Sequence, residues 1–344
     1  MSRHRADGAR PATGTYPGRV LPTPLMRTAL LANVVAQVGI VVTGGLVRLT
    51  GSGLGCPTWP QCVPGSYVPV LEQEEGFHKY IEFGNRMLTG VVGLTALAAL
   101  VVTYLLVRGG RDRRLLLLGA APLVLVVLQA LIGGVTVLTS LHPVTVATHF
   151  LVSMALVATS VVLLERLGQP DGPSAPVVRR EVLQLAWLLA GAGALVLVLG
   201  TVVTGSGPHS GDAEEPARIG LDPRTLSWLH ADAVLLFLGL VLGLLVALRV
   251  LDAPARAQRR AGLLLGVTLA QGLIGYLQYL TDLPEALVLA HMLGACLLVV
   301  VLTLTISSLH ERAPARHQSE ILSPAGPQNR TNGSTPTARN SSVK

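Results

Sequence analysis

Three histidines stand where a histidine is costly. His149, His230 and His291 each fall five or six residues inside the end of a long apolar run, roughly 8–9 Å deep if the run is helical. A second group, IEFGNRMLTG at 81–90, carries Glu82, Asn85 and Arg86 into another such run. A charged side chain at the centre of a membrane helix costs about 2.5–3.5 kcal/mol on insertion scales, so such groups point to function by default. Imidazole at that depth suits metal ligation or proton relay. His230 and His291 lie at matching depth, and two facing histidines in a helical bundle are the usual axial ligands of a six-coordinate haem. A zinc site would need a fuller ligand set, and no Cys, Asp or third His completes one there. A lone buried histidine is more often a hydrogen-bonded packing residue; the pair at equal depth favours haem or metal. Glycines around them leave room for a porphyrin: Gly272, Gly275 and Gly294 on one side, Gly84, Gly90, Gly133 and Gly134 on the other.

These residues need a frame, and composition supplies it. Half of the 344 residues are hydrophobic and 13% are charged, about half the charge of a soluble domain. Eight apolar runs reach the ~20 residues a spanning helix needs: 27–47, 80–107, 115–138, 144–164, 183–204, 225–248, 262–280 and 286–308. Their period is helical or continuous, not the alternation of a membrane barrel. The first is too long, with too polar a leader, for a signal peptide. The fold class expected is all-α integral membrane, eight transmembrane helices as two duplicated four-helix bundles. Of 26 basic residues, 21 fall on one side of the spans; the positive-inside rule then puts both termini in the cytoplasm, in a cell membrane. The net charge of +7 reads as topology and lipid attraction, not nucleic-acid binding, because the arginines are scattered over short loops.

The duplication is visible directly. QALIGGVTVLTSLHPVTVATH (129–149) aligns without a gap on QGLIGYLQYLTDLPEALVLAH (271–291), with nine of 21 positions identical, among them Gly133/Gly275 and His149/His291. VVTG recurs at 41–44 and 202–205. Two parallel halves follow: 27–167 and 183–309, with a tail at 1–26, a cytoplasmic linker at 168–182 and a disordered tail at 310–344. Matching IEFGN (81–85) to LSWLH (226–230) sets Asn85 against His230 and Glu82 against Ser227. An amide is a poor iron ligand. The first half therefore reads as a haem site with one axial position vacated and a carboxylate one turn away, on the same helix face. Glu82 also suits a helix start, near the dipole. Arg86 is placed to snorkel, to pair with Glu82 or to meet a haem propionate. His78 is placed to cap the site; His142 and His209 fall in outer loops, and His4, His310 and His317 in cytoplasmic segments. Cys56 and Cys62, in GCPTWPQC, share the first outer loop. That loop faces an oxidising space, which favours a disulfide over two free thiols. Cys296 reads as a small packing residue.

GGLVRLTGSGLGCPTWPQC, IEFGNRMLTG and the three histidine helices together resemble the haem A synthases, over about residues 26–308. The resemblance implies an oxidoreductase that converts the C8 methyl of haem O to a formyl group by successive hydroxylations, for terminal-oxidase assembly. It implies a permanent haem b on His230 and His291, a substrate haem near His149, Asn85 and Arg86, Glu82 as catalytic carboxylate and a Cys56–Cys62 bond. Partners implied are haem O, haem O synthase, an electron donor and membrane lipid, with a homo-oligomer compatible. Asn85 stands where many members carry histidine, and 205–224 lacks a second cysteine pair. The alternatives are a bis-histidine b-type cytochrome that only transfers electrons, which would want paired ligands in both halves, or a haem carrier without chemistry, which would not need Glu82.

Overall fold

The computed structural model describes residues 21–208, 211 and 217–313. His4, His209, His317, most of the N-terminal tail and the tail beyond 313 lie outside the described residues. Eight helices are long and apolar enough to cross a membrane: α1 Pro24–Leu49, α2 His78–Arg108, α3 Leu115–Leu138, α4 Pro143–Leu167, α5 Arg180–Ser206, α6 Pro223–Val250, α7 Ala255–Leu280 and α8 Glu285–Ser307.

Their starts follow local chemistry. Thr23 accepts from Met26 N–H ahead of Pro24, His142 from Val144 N–H ahead of Pro143, and Asp222 from Arg224 and Thr225 N–H ahead of Pro223. An oxygen or nitrogen cap satisfies an orphan N–H, and proline at the first helical position loses none that mattered. Every end lies within three residues of its apolar span except the start of α7, at Ala255 instead of 262. ARAQRRA is too polar for hydropathy to detect, yet it is built of strong helix formers.

Each half closes as a ring of neighbours, α1–α2–α3–α4 and α5–α6–α7–α8, while the diagonal pairs α2/α4 and α6/α8 do not pack on each other. The diagonals carry the candidate iron ligands. The halves meet through α1, α4, α5 and α8, where Val41, Met154, Val157, Cys296 and Val299 form a buried cluster. Cys296 is fully buried in it, as a packing residue should be. Outward faces are apolar and exposed, with Leu117, Trp187 and Leu188 each at least 65% exposed, a surface suited to lipid.

At the end opposite the first outer loop, Arg111 and Arg166 both hold Asp171 at 2.8 Å, and Glu165 of α4 takes Arg256 and Arg260 of α7 at 2.5 and 2.7 Å, across the halves. Burial alone would raise the Asp171 carboxyl, but hydrogen bonds from Arg111, the Asp112 backbone N–H and Arg166 outweigh it and hold it near 2. One expectation fails here. Residues 310–312 do not begin a disordered tail: His310–Arg312 (β2) pairs antiparallel with Ser174–Pro176 (β1) of the linker. Three residues carry no periodicity, so such a long-range pairing leaves no local trace.

Candidate functional site

The three histidine rings are seated alike. His149 on α4 places Cε1 3.3 Å from where a Cβ on Gly133 of α3 would lie; His230 on α6 stands 3.3 Å from the same point at Gly200 of α5, and His291 on α8 3.5 Å from that at Gly275 of α7. A methyl at Gly133 or Gly200 would press on the ring, and one at Gly275 would just touch it. In all three rings Nδ1 is a buried nitrogen on the side of the neighbouring helix's glycine. Nε2 is the nitrogen left to serve a metal.

The residues that fix these helices recur with the histidines. Gln129 donates through Nε2 to the His149 carbonyl at 2.9 Å, and Gln271 to the His291 carbonyl at 3.0 Å. Gln129 also bonds the Ser153 hydroxyl, a group the second half replaces with Ala295. His230 lies on α6 and His291 on α8, the diagonal pair of the second half, whereas the first-half counterpart of His230 is Asn85. Its Oδ1 accepts from Thr43 Oγ1 of α1 at 2.8 Å, so the amide is tied to the neighbouring helix. The donor set fits haem iron: imidazoles on the diagonal helices α6 and α8 of the second half and on α4 of the first, each seated over a glycine. Among the described residues no three His, Cys, Asp or Glu side chains gather as a metal site, so the zinc alternative has no ligand set.

The α1–α2 connection of the first half forms a cap closed by a disulfide, whereas the α5–α6 connection, 207–222, contains no cysteine. Cys56 and Cys62 are bonded in a short ring. Trp59 at its apex lies over Gly134, where a Cβ would meet the indole at 2.5–2.9 Å, one residue from the seat of His149. Glu82, 5% exposed, accepts from Cys56 N–H through Oε2 at 2.7 Å and from Arg86 through Oε1. His78 Nδ1 shares a hydrogen bond with Ser52 Oγ at 2.8 Å, and buried Lys79 donates to the Val70 and Leu71 carbonyls. Gly53 N–H reaches the Gly211 carbonyl at 2.9 Å, and Arg48 the Thr204 carbonyl at 2.9 Å, so the cap also leans on the second half. His142 is a helix cap and His310 lies in β2; neither joins the site.

Sequence reasoning singled out Glu82, Asn85 and Arg86; all three lie on α2, where Arg86 pairs with Glu82 and Asn85 turns to Thr43 of α1. It passed over Gly200, Gln129, Gln271, Thr43 and Trp59 as parts of the site. A signal existed for most of them: Gly39 aligns with Gly200 if VVTG is extended by two residues, and Gln129/Gln271 is among the nine identities. Trp59 had none, because its partner is a bare glycine.

A family model described as cytochrome oxidase assembly protein, COX15-CtaA, matches residues 27–209, just over half of the chain. A haem A synthase of Symbiobacterium thermophilum is 28% identical over 303 residues, covering 82% of this chain and 96% of its own length. One of Sinorhizobium fredii is 27% identical over 310 residues, covering 76% and 83%. One of Exiguobacterium sibiricum is 29% identical over 172 residues, covering 48% and 53%; the chain spans about half the length of that relative. The family model covers more than half of the chain, and the chain belongs to the COX15-CtaA family of cytochrome oxidase assembly proteins.

Proposed function

We propose that this protein is a haem A synthase, an oxidoreductase that converts the C8 methyl of haem O to a formyl group by two hydroxylations, each taking one oxygen atom from dioxygen while a donor's two electrons and two protons reduce the other to water, and by loss of water from the resulting gem-diol. The observation that carries this reading is the asymmetry of the duplicated ligand pairs: His230 with His291 in one half, His149 with Asn85 in the other. In this reading His230 and His291 would hold a haem b through Nε2. That group supplies one-electron transfer when bound.

The substrate haem enters the first half. His149, seated on Gly133 and pinned through Gln129, holds it from one side. Asn85 leaves the other side without a strong ligand, its carbonyl oxygen committed to Thr43 Oγ1. Glu82 takes or returns a proton at the reacting carbon, provided the methyl comes within hydrogen-bond reach. The cap limits water at the mouth, and Trp59 closes the side near His149. The protein positions the methyl and the cofactors carry the oxidation. Both termini face the cytoplasm of a cell-membrane protein on the arginine distribution. Haem O synthase and an electron donor are the partners this chemistry requires.

The test is a haem extract from a host that makes haem O, with and without this protein, resolved by chromatography and mass. A formyl haem that depends on the protein and on Glu82 is expected. Bound haem b without any formyl haem would refute the enzyme reading.

A further inference from the structure

Arg86 has five N–H donors, and the structure uses all of them. Nε donates to Glu82 Oε1 at 3.0 Å; Nη1 to the Thr58 and Gln61 carbonyls at 3.0 and 3.2 Å; Nη2 to the Cys56 carbonyl at 2.7 Å and to Glu82 Oε1 at 2.5 Å. A guanidinium carries five donors and no acceptor, so nothing remains for a haem propionate. Three of its four partner residues belong to the ring closed by Cys56 and Cys62. The same ring returns a bond to the carboxylate, from Cys56 N–H to Glu82 Oε2 at 2.7 Å. Peptide groups on both sides of Cys56 are therefore engaged, one by Glu82 and one by Arg86. The apex of the ring puts Trp59 on Gly134.

We propose that Arg86 is a positioning residue of the first-half site, a clasp that seats the disulfide ring as a lid and aims the Glu82 carboxylate, and not a substrate ligand. The part that concerns turnover rests on the function proposed above. The arrangement is one that only arginine can make. Its planar fork reaches three carbonyls and a carboxylate in fixed directions, whereas lysine is a point charge with three donors on a flexible stem. Charge alone would not rebuild it.

The test uses the full chain in lipid nanodiscs with Trp187 and Trp228 replaced by Phe, so that Trp59 is the one indole of the chain's three tryptophans. Arg86→Lys and Arg86→Gln are compared with this parent. Both are expected to raise quenching of Trp59 by an aqueous quencher several-fold. Both should lower turnover by about 10- to 100-fold, the scale of a small misplacement, with KM for haem O within about twofold. The low-spin spectrum of the second half should not change, which shows that the fold survives. A Lys variant with parental quenching and turnover would overturn the clasp, since charge would then suffice. Variants that keep Trp59 protected but bind first-half haem more weakly would overturn it in favour of a propionate contact. Quenching needs no turnover, so a parent that made no formyl haem would sink the proposed function while the clasp would still be decided by fluorescence.

Discussion

The two halves share a scaffold and differ in what they leave open. In the second, His230 sits over Gly200 and His291 over Gly275, so both sides of the diagonal end in imidazole. In the first, His149 sits over Gly133, but its opposite number is Asn85, and Gly39, the counterpart of Gly200, has no neighbour within 4 Å of its Cβ position. The vacated seat is matched by additions: Glu82 where the second half has Ser227, and a disulfide-closed cap where the second half has a short connection. A saturated ligand pair suits a cofactor that stays. An unsaturated one beside a buried carboxylate and under a lid suits a substrate that is changed and released.

The sharpest way to break the comparison is to remove the carboxylate. Glu82→Gln is expected to lower formyl-haem output by at least about 100-fold, the usual scale for a general acid–base group, while Ser227→Glu adds no activity; equal output from Glu82→Gln, read by mass of extracted haem, would remove its catalytic role. Next comes the cap. Cys56→Ser opens a short ring whose closure is worth about 2 kcal/mol on a chain-entropy model, so proteolysis at 56–62 should rise with α5–α8 unaffected. The glycine seats grade finely. Gly134→Ala meets the Trp59 ring at 2.5–2.9 Å and should cost about 1–3 kcal/mol as overpacking. Gly133→Ala and Gly200→Ala, at 3.3 Å, should cost less, and Gly275→Ala, at 3.5 Å, least; thermal unfolding ranks them. The smallest effect lies at the far end. Asp171, near 2 in the fold and near 4 when unfolded, contributes stability that is fully present above about pH 4 and fades as pH falls toward 2. Wild type and Asp171→Asn should differ in unfolding temperature at neutral pH and converge in acid.

The helices were legible because hydropathy and proline-led starts mark them. The halves were legible because nine identities survive in one stretch, and the positions of the three histidines within their helices because depth along a helix can be counted. The start of α7 was not, since ARAQRRA is helical without being apolar. The strand pair 174–176 with 310–312 was not, because three residues paired over a long separation have no pattern of their own. The clasp was hidden for a different reason. Arg86 was visible as a charge near Glu82, but three of its four partner residues contribute backbone carbonyls, and a carbonyl is the same for every residue type.

The most direct test of the division between halves is the spin state of iron in protein loaded at both sites, followed through matched variants. The account predicts one low-spin bis-histidine centre that disappears in His230→Ala and in His291→Ala alike and survives His149→Ala, together with a second centre that becomes low-spin only when Asn85→His restores the missing ligand. If His149→Ala and His230→Ala abolish the same signal, the two halves do not hold separate haems, and the account is wrong.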